Sequence, residues 1–247
     1  EGFLLLRGQS FESDASIPYA PLLDMVRLYA ESTSPSVVAH VLAPAAAELT
    51  AVFPELRPLL PDVVPSAPSD PDSDKRRLFH ALARMVGALA QTQPVFIAFE
   101  DVHWSDDATL DLVFHLARSG STQRVIIGLT RRSDEGTPRL ERLIGELERA
   151  RLLTELPVRT LTRDDVRAML AAIFPGANLG EDFIELLHGL TEGNPFFLEE
   201  TLKALIVDGD LTMRDGGWRA LSLERVRVPR TAAEAVRRRL ATLTVAA

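Results

Sequence analysis

Two carboxylates stand side by side where an apolar run ends. The stretch is Pro94-Val95-Phe96-Ile97-Ala98-Phe99-Glu100-Asp101-Val102-His103-Trp104-Ser105-Asp106. Adjacent acids of this kind can hold a hydrated Mg²⁺ and polarise an attacking water, the roles needed when a phosphoryl group passes to water. The apolar residues Val95 to Phe99, β-branched and aromatic among them, would carry the acids into place as a strand. Pro94 can open a strand but not sit within its ladder. A run apolar on both faces suits a central parallel strand with helices on each side. Ligands of open α/β sheets bind just beyond the carboxyl ends of such strands. The alternative is a buried strand followed by an ordinary acidic helix cap, and the apolar run alone does not separate the two.

The whole stretch resembles the Walker B segment of the STAND-type AAA+ ATPase modules found in large LuxR/MalT-like bacterial transcriptional regulators. Those modules carry an apolar strand, an acidic pair and a His-Trp-small-Asp run, matched here by Glu100-Asp101-Val102-His103-Trp104-Ser105-Asp106. The first acid, commonly Asp in that family, is Glu100 here. The resemblance implies an α/β fold: a parallel-sheet P-loop NTPase (AAA+-like) core, a small helical lid and the start of a winged-helix-like segment. It implies ATP and Mg²⁺ as cofactors and a cytoplasmic protein. Glu100 and Asp101 would be both the catalytic acids and the metal ligands.

Further elements support alternating strands and helices. Phe3-Leu4-Leu5-Leu6 reads as a buried strand closed by Arg7-Gly8, and Leu22, Leu23, Val26 and Ala30 repeat at helical spacing after Pro18-Tyr19-Ala20-Pro21. Residues 34–53 look helical. Pro at 54, 58, 61, 65, 68 and 71 excludes a regular helix or ladder strand and predicts a surface connection. Asp72-Ser73-Asp74 is expected to cap a helix from about Lys75 to Gln91 with Leu78, Leu82, Met85, Val86 and Leu89 inside. Lys75-Arg76-Arg77 would then sit in a first turn that disfavours cations, which fits either an anionic neighbour or a solvated charge run. Ser105 or Asp106 caps the next helix. Arg124 to Thr130 reads as another parallel strand and Leu152 to Leu156 as a further one, the doubly wound pattern. In the resembled family the strand beside the Walker B strand ends in Thr-x-Arg. By that match Thr130 and Arg132 fall at the sensor-1 position, Thr130 binding the nucleotide and Arg132 meeting the γ-phosphate. An exposed basic turn is the other reading.

The composition then turns helical. Thr162-Arg163-Asp164-Asp165 opens one helix, a second ends near Gly193, and Asn194-Pro195 starts a third, with Asn as cap and Pro at the first position. Gly193-Asn194-Pro195 resembles the family motif whose Pro packs near the adenine, which assigns Asn194 and Pro195 to nucleotide binding. A plain helix-turn-helix joint explains them equally. Leu211-Thr212-Met213 and Trp218 suggest a hairpin, and Thr231 caps a last helix with Arg237-Arg238-Arg239 outside. The organisation expected is 1–157 for the α/β core, 158–207 for the lid and 208–247 for a hairpin and helix leading onward.

Bulk properties exclude several other classes. A net charge of −8 over 247 residues gives no generic affinity for nucleic-acid backbones, so DNA binding would need a domain outside this chain. No cysteine occurs, which removes disulfide frameworks and thiolate metal sites. No apolar run approaches the roughly 20 residues that span a bilayer. The five histidines lack zinc-type spacing. A phosphate-binding loop needs clustered glycines before a Lys and a Ser or Thr. Neither of the two lysines, Lys75 and Lys203, has that setting. In the resembled family this loop lies upstream of the strand that opens here.

Two functions remain. One is an ATP-binding, hydrolysing switch in a multidomain bacterial regulator, with an effector protein or small-molecule inducer acting through other domains and self-association on activation. The other is a non-enzymatic interaction scaffold on a degenerate NTPase fold. Without a phosphate cradle, these 247 residues alone are expected to show no ATP hydrolysis above background. A turnover that disappears on Asp101→Asn would contradict that expectation.

Overall fold

Three strands, β1 (Leu4–Gln9), β2 (Val95–Glu100) and β3 (Val125–Leu129), lie parallel in the order β1-β2-β3. The computed structural model describes residues 2–177, 179–214 and 217–220. By its contacts the chain divides into two units, Glu1–Glu155 and Leu156–Ala247.

In the first unit the register sorts side chains into two rows. Leu6, Ile97 and Ile127 are paired across the sheet, as are Leu5, Phe96 and Ile126. The first row belongs to the core cluster, where α1 (Ala20–Ser32) packs on β1 and α4 (Pro71–Thr92) on β2. The second row faces outward: Leu5 is 52% exposed and Ile126 54%. Among the described residues the sheet is therefore covered on one face, where the apolar run of β2 predicts cover on both. A short apolar strand carries the same composition whether its second face is covered or open, so the sequence does not separate the two cases. Across the open face the Phe96 ring lies over Gly128, where a Cβ would meet it at 2.9 Å.

Helix α4 begins earlier than the acidic triplet suggests. Asp70 is the cap, accepting from the Ser73 N–H at 3.0 Å, and Pro71 is the first helical residue. The first turn then carries Asp72 and Asp74, as the dipole favours, and the basic triplet falls beyond it. Lys75 has an anionic neighbour: its Nζ lies 2.5 Å from Asp111 of α5 (Asp107–Gly120), which also receives Arg139 of α6 (Pro138–Arg149) at 2.5 Å. Burial pushes the Asp111 carboxyl up, but hydrogen bonds from Lys75 and Arg139 outweigh that and hold it below the usual carboxylate range. One acid thus ties three helices together.

Residues 34–53 are helical in pieces, α2 (Pro35–Leu42) and α3 (Ala46–Val52), with a 3-10 turn over Ala43–Ala45 between them. Pro35–Val52 is the most membrane-like helical stretch by composition, 18 residues long. It is broken at that turn, and Val38, Leu42, Ala45 and Leu49 are buried in the core. The proline-rich stretch includes a 3-10 segment, Pro54–Leu59, and contributes buried Leu56 and Leu60. It is therefore not wholly a surface connection. The strand expected over Leu152–Leu156 does not form: no described residue of that stretch joins the sheet. Leu152 and Leu153 instead pack against the core, while Leu156 is exposed.

The second unit holds α7 (Arg163–Ile173), α8 (Glu181–Thr191) and α9 (Pro195–Val207), then an antiparallel pair β4 (Leu211–Arg214) and β5 (Gly217–Ala220). Thr162 and Asp165 form the expected capping box, each bonding the other's backbone N–H. Val166, Leu187, Leu198 and Leu202 centre the core, and Trp218 stacks on Phe174 with centroids 4.9 Å apart. The helix expected from Thr231, with its arginines 237–239, lies outside the described residues.

Two glycines separate packing from propensity. A Cβ on Gly8 would fall 1.9 Å from the Pro21 carbonyl oxygen, whereas one on Gly189, exposed in α8, would meet nothing within 4 Å. Gly8→Ala is expected to cost about 1–3 kcal/mol, since neither backbone can give way. Gly189→Ala should stabilise by about 0.5–1 kcal/mol. Denaturant midpoints of the two variants check both; equal midpoints would contradict the close β1–α1 packing.

Candidate functional site

The carboxyl ends of β1, β2 and β3 converge on one acidic turn. Strand alternation places Glu100 on the open face with Phe96 and Ala98, and Arg7 of β1 reaches it there with Nη2 2.7 Å from Oε2. Asp101 follows in the left-handed region at φ 55° and ψ 42°, an uncommon conformation for a residue with a side chain. Its neighbours hold it there. The Gln9 side-chain amide donates to Asp101 Oδ2 at 3.0 Å. The Asp101 N–H donates to the Thr130 hydroxyl at 3.0 Å, and the Val102 N–H to the Thr130 carbonyl at 2.9 Å. Glu100, Asp101 and Thr130 are thus brought together, and Thr130 positions the turn through its hydroxyl.

Arg132 lies two residues beyond Thr130, paired with Glu135 at 2.6 Å and Asp134 at 3.5 Å. His103 is buried beneath the turn, stacked on Trp104 with centroids 4.4 Å apart, and its Nε2 lies 3.4 Å from Glu135.

Behind the acids a second layer fixes the loop entering α1. Asp106, the cap of α5, accepts from the N–H groups of Ala108 and Thr109 at 2.9 and 3.0 Å and from the Thr109 hydroxyl. The N–H groups use Oδ1, while Oδ2 takes the hydroxyl and also accepts from the Tyr19 N–H at 3.1 Å. Tyr19 is itself left-handed at φ 60° and packs edge-on against Phe79. Ser10 and Ser105 share a buried hydroxyl contact of 2.7 Å. The His-Trp-Ser-Asp run therefore works by tying β1, β2 and α5 into one frame.

Asn194 and Pro195 lie in the second unit, at the start of α9. Asn194 Oδ1 caps the Phe196 N–H at 3.0 Å, and Pro195 is the first helical residue. Gly193 at φ 72° must be glycine twice over, because a Cβ would also strike the Leu161 carbonyl oxygen at 2.1 Å. That local account is the helix-turn-helix joint.

Sequence reasoning missed Arg7, Gln9 and Glu135. Arg7 and Gln9 stand at alternate positions before the end of β1, a pattern that could have marked side chains on the face of the neighbouring acids. Among the described residues no group of three or more His, Cys, Asp or Glu could hold a metal by itself. Two carboxylates suit Mg²⁺, which keeps several waters and completes its shell with substrate phosphates.

A parallel α/β sheet with an acidic pair at the carboxyl end of its middle strand is the core of a P-loop NTPase-like module. The model of the AAA ATPase domain family matches residues 2–127, just over half of the chain. The chain belongs to the AAA ATPase domain family, the AAA-type P-loop nucleotide-binding modules. The match includes Glu100 and Asp101 and stops short of Thr130 and Arg132. An uncharacterized protein of Rhizobium meliloti (strain 1021) is 29% identical over 133 residues, covering 53% of this chain and 12% of that protein.

The Tyr19 phenol reports on the frame. Burial, then the charges of Asp106 and Asp111, push it up to about 12 from an ordinary value of 10.0. The fold favours the neutral ring, so that stabilisation is complete below the unfolded value and is lost as pH rises from about 10 to 12. Denaturation midpoints should fall over this range more steeply in the wild type than in Tyr19→Phe. Parallel pH profiles would contradict a buried Tyr19 hydroxyl.

Proposed function

We propose that this chain belongs to the ATP-binding and hydrolysing module of a regulatory switch in a multidomain bacterial signal-transduction or transcriptional protein of the LuxR/MalT-like STAND kind, and does not hydrolyse ATP by itself. The observation that carries the reading is the acidic turn: family membership supplies the nucleotide class, and Glu100-Asp101 stands where strand ends meet, braced by Gln9 and Thr130.

In this reading Glu100 and Asp101 hold the hydrated Mg²⁺ of Mg-ATP. The metal, when bound, draws charge from the β- and γ-phosphates. Glu100 exchanges Arg7 for that ligand role, and one acid orients the attacking water and accepts its proton. Thr130 keeps the Asp101 peptide in its left-handed turn, so the carboxylate does not drift from the strand ends. Arg132 contacts the γ-phosphate, and Asn194 and Pro195 contact the base. Among the described residues one sheet face is uncovered and β3 has no neighbour on its outer side, which leaves room for a strand and helix carrying a phosphate-binding loop. Effector, inducer and DNA contacts belong to other domains, and the protein acts in the cytoplasm.

The scaffold alternative draws on the Arg7–Glu100 pair, which neutralises one acid within the protein itself. The two readings separate in the full natural chain. The switch predicts Mg²⁺-dependent ATP hydrolysis that falls about a hundredfold in Glu100→Gln or Asp101→Asn while ATP is still bound. Absence of nucleotide binding would select the scaffold, and undiminished turnover in both variants would remove the acids from the chemistry.

A further inference from the structure

The turn after β3 contains a carboxylate with two partners. Glu135 Oε1 lies 2.6 Å from Nη1 of Arg132, and Oε2 lies 3.4 Å from Nε2 of His103. The His103 side chain is 1% exposed, and neither ring nitrogen has a hydrogen-bond partner among the described residues. Glu135 is therefore seated between a buried imidazole and a guanidinium that is 50% exposed. Asp134, 3.5 Å from Arg132 Nε, adds a weaker second anion. This cluster is fastened to the acidic turn: His103 follows Asp101 by two residues, Arg132 follows Thr130 by two, and Asp101 donates to Thr130.

We propose that Glu135 is a specificity-determining latch on Arg132, tuned to distinguish a nucleoside triphosphate from a diphosphate. The inference rests on the reading that nucleotide binds at the acidic turn. A terminal phosphate is a stronger partner for a guanidinium than a solvated carboxylate, since it offers more charge and more acceptor oxygens. The Arg132–Glu135 pair is half exposed and joins residues three apart, the class of ion pair that contributes least. It is weak enough to open when a γ-phosphate arrives and strong enough to stay closed over a diphosphate, which has no group to offer Arg132. Opening the latch thus taxes only the triphosphate.

The test uses the full natural chain with Mg²⁺ and either ADP or a non-hydrolysable ATP analogue, titrated against wild type, Glu135→Gln, Arg132→Ala and the double variant. Glu135→Gln should tighten the triphosphate analogue by about two- to fivefold, with ADP unchanged. In the Arg132→Ala background the same substitution should do nothing. Equal changes for both nucleotides, no change for either, or an effect that survives without Arg132 would overturn the latch and leave the nucleotide reading standing. Failure of the wild type to bind either nucleotide would remove that reading and the latch together.

Discussion

The backbone at Asp101 is bent into the left-handed region, which among residues with a Cβ is visited mainly by Asn and Asp. The bend persists because two strands hold it, Gln9 from one side and Thr130 from the other. Much of the surrounding structure can be read as maintaining this bend. Gly8 lets α1 approach β1 so closely that no Cβ fits. Ser10 meets Ser105, and Asp106 captures the Tyr19 backbone. Each contact joins the end of one strand or helix to the next, so the acidic turn inherits the rigidity of the sheet.

Charge around the turn is arranged in opposed pairs. Glu100 faces Arg7, Arg132 faces Glu135, and Asp101 alone has a neutral partner in Gln9. At a site built this way an incoming polyanion with its cation can exchange partners on both sides. The pairs are partly exposed, the class of ion pair that contributes least, so exchanging them costs little stability.

The features legible in the sequence are those set by neighbours along the chain. Asp106, Thr162 and Asn194 are caps because their side chains reach N–H groups two or three residues on. The strands β2 and β3 follow from apolar runs ended by polar residues. What the sequence did not disclose depends on pairings some 90 residues apart, such as Arg7 with Glu100 and Gln9 with Asp101. It also hid the open face. Leu5 and Ile126 are as apolar as Leu6 and Ile127, and only the register shows that one pair is covered and the other is not. Leu152–Leu156 has the composition of a strand and no strand beside it. A ladder needs a partner as much as a propensity.

The most direct measurement is a crystal structure of the full natural chain with Mg²⁺ and a non-hydrolysable ATP analogue. The metal is expected at the carboxyl end of β2, where Glu100 or Asp101 would hold it directly or through bound water, with the phosphates toward the turn after β3. A nucleotide bound elsewhere, with Arg7 and Gln9 still holding both acids, would contradict this.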